Sequence, residues 1–165
     1  MTIANKIQEQ HTAGPIAIGF DYQIYLFMSL ALELDPGEKI GFEVKDDIYI
    51  DKADGTTILY QAKHTVQQGS NKNLTTLDSD LWKTLSNWVD FIKSNKDNSN
   101  FIEKHSFILT TNKSENNNSF LNALLLFKKD NKTDTVLNKI KELKAKTIDK
   151  TLKKYIQNVI SIGQR

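Results

Sequence analysis

The sequence predicts an α/β protein with the element order α-β-β-β-α-β, followed by further helices. Three observations carry that expectation. A long apolar helical segment opens the chain. Three short runs of β character follow, with a hairpin turn between the last two. A strand that is apolar on both faces then comes after an amphipathic helix.

Ile16–Leu34 (IAIGFDYQIYLFMSLALEL) reads as a mostly buried helix, with Pro15 suited to its first turn and Asp35-Pro36-Gly37 ending it. The β runs are Lys39–Val44, Asp47–Lys52 and Thr57–Thr65. In the second, Ile48 and Ile50 point one way and Asp47, Tyr49 and Asp51 the other, the alternation of a half-buried strand. Ala53-Asp54-Gly55-Thr56 has the composition of a hairpin turn, and Val66–Thr75 that of a polar surface loop.

Leu77–Ser94 is amphipathic. Leu77, Leu81, Leu85, Trp88 and Ile92 form its apolar stripe, flanked by Trp82, while Asp80, Lys83, Asn87 and Asp90 form the polar one. Core packing suits both tryptophans better than base stacking. After a loop at Asn95–Asn100, His105–Thr111 (HSFILTT) reads as a buried strand in parallel pairing, because Phe107, Ile108 and Leu109 are apolar on both faces. Beyond a polar loop at Asn112–Asn118 come helices at Ser119–Lys129, Asp134–Lys146 and Ile148–Ile162. The last turns Ile148, Leu152, Tyr155, Ile156 and Val159 inward and Lys150, Lys153 and Lys154 outward. With no repeat or linker, the chain reads as one domain over 1–165, its core at about 14–111 and a helical, lysine-rich extension at 119–162.

A chain of 165 residues, 39% hydrophobic and 25% charged, suits one folded domain and excludes a disordered or collagen-like one. No apolar run approaches the ~20 residues of a membrane span, and MTIANKIQEQ lacks a signal-peptide core, so a soluble, cytoplasmic protein without membrane contact is expected. Cysteine is absent, which excludes disulfides, thiolate zinc sites and a cysteine nucleophile. Oxygen ligands or His11, His64 and His105 are left to hold a metal, and neither His11 nor His105 is placed to do so. The nucleotide motifs G-x-x-x-x-G-K-[ST] and G-x-G-x-x-G and the hydrolase motif G-x-S-x-G do not occur.

The net charge of +2 hides a gradient. Residues 1–64 carry five lysines against ten acids, 65–127 six of each, and 128–165 eleven Lys/Arg against four acids. Such polarity fits an end that collects metal and an end that collects polyanions; two solvated helix faces fit it as well. Arg165 is the single arginine, so diffuse phosphate attraction is favoured over bidentate base reading.

Two polar residues in the third β run share a face by period two: Gln61 and Lys63. A half-buried lysine is costly unless it meets an anion or shifts its pKa. If the second and third runs pair as a hairpin, Asp47 can fall near them. A carboxylate, an amide oxygen and an ammonium on one pleated face can hold Mg²⁺, acidify a water and steady transition-state charge. An edge hairpin with solvated polar residues has the same pattern. At about 100° per residue, Gln23 falls between Phe20, Phe27 and Leu30, either as a satisfied core amide or as a side chain reaching the same site. His64 follows Lys63 and faces the other way, to pack or to touch phosphate.

Gly19-Phe20-Asp21-Tyr22-Gln23, Asp47-Ile48-Tyr49-Ile50 and Tyr60-Gln61-Ala62-Lys63, in that order, resemble the PD-(D/E)XK, restriction-endonuclease-like superfamily. The pattern is most similar to Mrr-like nucleases and to effector nuclease domains of bacterial antiphage systems, including those fused to cyclic-oligonucleotide sensors. The resemblance covers about residues 14–111 and implies an αβββαβ core with a mixed central sheet. It implies Asp47 as the metal-binding acid, Gln61 in place of the commoner Glu, Lys63 as the catalytic lysine and Gln23 as a helix-borne accessory ligand. Glu43 shares parity with Asp47 and supplies a second acid if the strand between them is unbroken. Asp46 points the other way and reads as a solvated or turn-forming acid.

The implied activity is that of an endodeoxyribonuclease using Mg²⁺ or Mn²⁺, with little sequence specificity. Its double-stranded DNA would meet Lys83, His64, Lys150, Lys153 and Lys154. A sensor or ATPase module beyond Arg165 or on another chain, and a second copy of this chain to cut both strands, are the expected partners. The rival expectation, favoured by glutamine at both 23 and 61, is a degenerate nuclease-fold module that binds DNA or a protein without cutting. An RNA-directed nuclease is a third.

Overall fold

The computed structural model describes residues 13–65, 73–115 and 117–162. They form an α/β chain in the order α1 (Ala13–Leu32), β1 (Lys39–Phe42), β2 (Ile48–Asp51), β3 (Thr57–Lys63), β4 (Asn73–Leu74), α2 (Ser79–Ser94), α3 (Asn98–Lys104), β5 (His105–Thr111), β6 (Ser114–Glu115), α4 (Ser119–Asp130), α5 (Thr133–Lys146) and α6 (Lys150–Ser161). Two compact units result, Met1–Lys72 with Lys104–Lys113, and Asn73–Glu103 with Ser114–Arg165. The division departs from a core at 14–111: α2 groups with the C-terminal helices.

The first unit is built on a four-stranded mixed sheet in the order β1-β2-β3-β5. The pairs β1–β2 and β2–β3 are antiparallel, and β3–β5 is parallel. Ile48 and Ile50 are buried while Tyr49 and Asp51 are half-buried, as the alternation requires. The β2–β3 turn closes through the Lys52 N–H donating to the Thr56 carbonyl at 2.8 Å, with Gly55 at a φ of +83° that a Cβ would disfavour. Asp54 accepts from the Thr56 N–H at 2.9 Å and from its hydroxyl at 2.7 Å.

Both strands of the first hairpin are shorter than expected. β1 stops at Phe42 because Glu43 adopts a left-handed φ of 54°, and β2 begins at Ile48. Helix α1 packs on the side of the sheet that carries Phe42. The rings of Phe20 and Phe27 meet the Phe42 ring edge-on, with centroids 5.5 and 5.6 Å away. The expectation of a mostly buried helix fails: Tyr25, Met28 and Leu32 are 70%, 54% and 88% exposed. A helix apolar all round, laid on a sheet by one side, leaves the other side out. Strand β5 is likewise less buried than expected, with Ile108 38% exposed, because it is the outer strand of the sheet.

In the second unit, α2, α4 and α6 start at Asp78, Asn118 and Asp149, whose side chains accept from the first free backbone N–H groups of each helix. Trp82, rather than Trp88, is the fully buried tryptophan. Its indole N–H donates to the Thr76 carbonyl at 2.8 Å, and its ring lies 4.8 Å from that of Phe120. Helix α3 takes up the second half of the expected loop at Asn95–Asn100, and β4 pairs with β6 in parallel where two loops were expected. Ile148 is 96% exposed instead of inward, because it precedes the Asp149 cap and so lies on no helical face. Residues 66–72 and His11 lie outside the described residues, among which no helix is long and apolar enough to cross a membrane.

Candidate active site

The ladder between β2 and β3 pairs Ile48 with Tyr60, so the next position on each strand brings Asp47 opposite Gln61. The side chains meet there. Gln61 Nε2 donates to Asp47 Oδ2, and the same oxygen accepts the Ala62 backbone N–H at 2.8 Å. The carboxylate thus takes the place of the backbone acceptor that β2 no longer provides beyond Ile48. Gln61 is 8% exposed, and its amide is committed to this contact. Asp47 Oδ1 and Gln61 Oε1 form no hydrogen bond to a described residue.

Asp46 shapes the approach to Asp47, its Oδ1 accepting the Asp47 N–H at 3.0 Å, a turn-forming role. Glu43 faces Asp47 across the mouth of the hairpin: its N–H donates to the Asp47 carbonyl at 2.9 Å. The strand does break between them, and Glu43 is exposed at its left-handed φ. Lys63 ends β3, half-buried, two residues past Gln61 and therefore on the same side of the sheet as Gln61 and Asp47.

A neighbouring cluster was not anticipated. Asp51, on the same side of β2, binds Lys45 Nζ at 2.6 Å and accepts the Thr57 hydroxyl at 2.7 Å. The Lys45 ammonium, then the Thr57 hydroxyl, hold the Asp51 carboxyl below its ordinary pKa. Lys45 also lies over the Tyr49 ring, 4.4 Å from its centroid. That ring lies against Gly41, where a Cβ would come within 2.2 Å of it. The observed register stands Asp51 opposite Thr57, one residue off the pairing that a turn at Ala53–Thr56 implies, and nothing in the sequence signalled that Lys45 folds back along the strand.

The other candidates lie elsewhere. Gln23 is half-buried on α1, close in helical angle to the Phe20 and Phe27 positions that meet Phe42, and forms no hydrogen bond to a described residue. His64 follows β3 with its ring 5.0 Å from that of Tyr22. Burial pushes the Tyr22 hydroxyl pKa up. Lys83 is exposed on α2, and Lys150, Lys153 and Lys154 are exposed on α6, all four in the second unit.

Family profiles, curated proteins and solved structures yield no match to this chain.

Among the described residues no three acids or histidines come together as a metal cage. What the face offers a cation is one carboxylate oxygen and one amide oxygen; the break at Glu43 takes that expected second acid out of the strand and off the face. Mg²⁺ suits such a set, because it keeps several waters and commonly takes one or two carboxylates plus substrate phosphate. The donors are all oxygen, which suits Mg²⁺ or Mn²⁺ and not a thiophilic ion.

Proposed function

We propose that the chain is a metal-dependent endonuclease that hydrolyses phosphodiester bonds in duplex DNA on a restriction-endonuclease-like αβββαβ core. The observation that supports this best is the hold on Asp47. One of its oxygens is fixed by Gln61 and the Ala62 N–H, and the other is left unengaged on the side of the sheet that carries Lys63.

In this reading Asp47 Oδ1 and Gln61 Oε1 would hold Mg²⁺ or Mn²⁺, with water and substrate phosphate completing the set. Gln23 takes no part, because α1 packs on the Phe42 side of the sheet and Asp47 faces the other. The ion, when bound, would polarise the phosphate and make its water more acidic. Gln61 keeps the Asp47 carboxylate in one rotamer, so the donor atoms are positioned before substrate arrives. Lys63 has three N–H donors, which orient the attacking water and offset the negative charge that builds on the phosphoryl oxygens. The water oxygen bonds to phosphorus as the phosphorus–oxygen bond to the leaving strand breaks; the water releases one proton to solvent, and the leaving oxygen takes one up from solvent. Cutting both strands calls for a second copy of the chain. A service as effector in antiphage defence, under a sensor or ATPase module, is part of the same proposal.

One observation favours a second reading, a degenerate module that holds DNA or a protein without cutting: no group of three acids or histidines occurs among the described residues. A Mn²⁺ titration separates the two. The nuclease reading expects one Mn²⁺ site per chain, strengthened by duplex DNA and lost in Asp47→Ala. Absence of any site, with the protein folded and DNA still bound, supports the degenerate module. Offering duplex DNA and RNA together distinguishes the remaining substrate class.

A further inference from the structure

The lysines of α5 and α6 divide into two sets. Lys139 and Lys146 pair with Glu142 at 2.7 and 2.5 Å and hold its carboxyl down to about 2. Lys141, Lys144, Lys150, Lys153 and Lys154 form no ion pair with a described carboxylate. These five line two adjoining depressions of about 560 and 620 Å³ on the second unit, which share Lys144, Lys153 and Gln157. Lys144 is steadied by donating to Gln157 Oε1. Two acids lie close by: Asp149 caps α6, and Asp90 accepts from Asn158 at 2.7 Å.

From this we infer that the α5–α6 groove binds the sugar–phosphate backbone of a nucleic acid duplex, by charge and without reading bases. Lys150 and Lys154 are one helical turn apart, about 6 Å along the axis, so both ammonium groups serve one stretch of a polyanion. The groove contains no aromatic residue and no arginine, so it has neither the stacking platform of a single-strand site nor the fork for bidentate base contacts. The choice of nucleic acid over other polyanions rests on the nuclease reading; the groove and its charge do not.

The test is fluorescence anisotropy on the full chain carrying Lys63→Ala, in EDTA, so that neither metal nor cleavage enters the measurement. The probes are two duplex DNAs of unrelated sequence, a single strand of equal length and anionic lipid vesicles, each across a salt series. The groove predicts that duplex is bound more tightly than single strand and that sequence makes no difference. Its salt slope should fall by about three in Lys150→Ala/Lys153→Ala/Lys154→Ala, about one per lysine removed. Lys139→Ala/Lys146→Ala, taken from the set that pairs with Glu142, should leave most of the slope in place. An unchanged slope in the triple variant, a preference for single strand, or capture of vesicles without duplex would each overturn the inference. None of these outcomes bears on metal binding at Asp47, so the two proposals can fail separately.

Discussion

Asp47 and Gln61 stand opposite each other across β2 and β3, and one Asp47 oxygen accepts both the Gln61 amide and the neighbouring Ala62 N–H. The contact joins a half-buried carboxylate to a buried amide at the point where β2 has ended. It is at once a structural clasp and the core of the proposed site, so its two roles have to be measured apart.

Asp47→Ala leaves two donors without their acceptor and should lower stability by about 1–3 kcal/mol. Asp47→Asn keeps an acceptor oxygen of the same reach and should cost less, while still removing the charge that a cation needs. Urea unfolding of the two variants checks this; equal losses would mean that the clasp does not hold the strand ends together.

Gln61→Glu replaces the donor with a second carboxylate against Asp47. Like charges at this distance disfavour joint ionisation, so the variant should melt below wild type in EDTA at neutral pH. Mn²⁺ should then raise its melting temperature by more than it raises that of wild type. Melting curves with and without the ion decide; an unchanged midpoint in EDTA would show that the two side chains do not meet in solution.

Gly41→Ala should be costly for a reason confined to one neighbour. The new Cβ would fall 2.2 Å from a Tyr49 ring carbon, and crowding of that kind costs about 1–3 kcal/mol. In a Tyr49→Ala background most of the loss should vanish, and a double-mutant cycle measures the difference. Equal losses in both backgrounds would mean that backbone conformation is the cause instead.

Acid should loosen the Lys45–Asp51–Thr57 cluster in a defined direction. The Lys45 ammonium and the Thr57 hydroxyl lower the Asp51 pKa from its ordinary 3.8, so folding favours the charged carboxylate. The resulting stability is fully present above the ordinary value and is lost as pH falls through the lowered one. Wild type should therefore exceed Lys45→Met at neutral pH, and the two should converge in strong acid. Parallel stability curves down the whole pH range would contradict this origin.

Much of the first unit was readable because strand period and turn chemistry are local. Asp47, Tyr49 and Asp51 share a side by alternation alone. A turn at Ala53–Thr56 would set Lys52 against Thr57; the observed loop is one residue shorter, with Lys52 closing on Thr56, and this puts Asp47 against Gln61. The left-handed conformation of Glu43 was not readable, since nothing about a glutamate announces it, and that one residue shortens β1. Helix α1 is apolar on every side, so its sequence could not say which side would meet the sheet. In α2 the buried set includes Thr84 and Ser86, which a polarity pattern turns outward, and the stripe was therefore centred on Trp88 instead of Trp82. The division into two units arises from packing between distant segments, which no linker composition marks.

Cleavage of a supercoiled plasmid by wild type, Asp47→Asn and Lys63→Ala, each with Mg²⁺ and with EDTA, tests the central claim most directly. The account predicts nicking and linearisation by wild type only with Mg²⁺, and rates at least ~10²-fold lower in both variants, whose circular dichroism spectra stay unchanged. Equal cutting by all three proteins, or none by a folded wild type that holds Mn²⁺ and DNA, would contradict it.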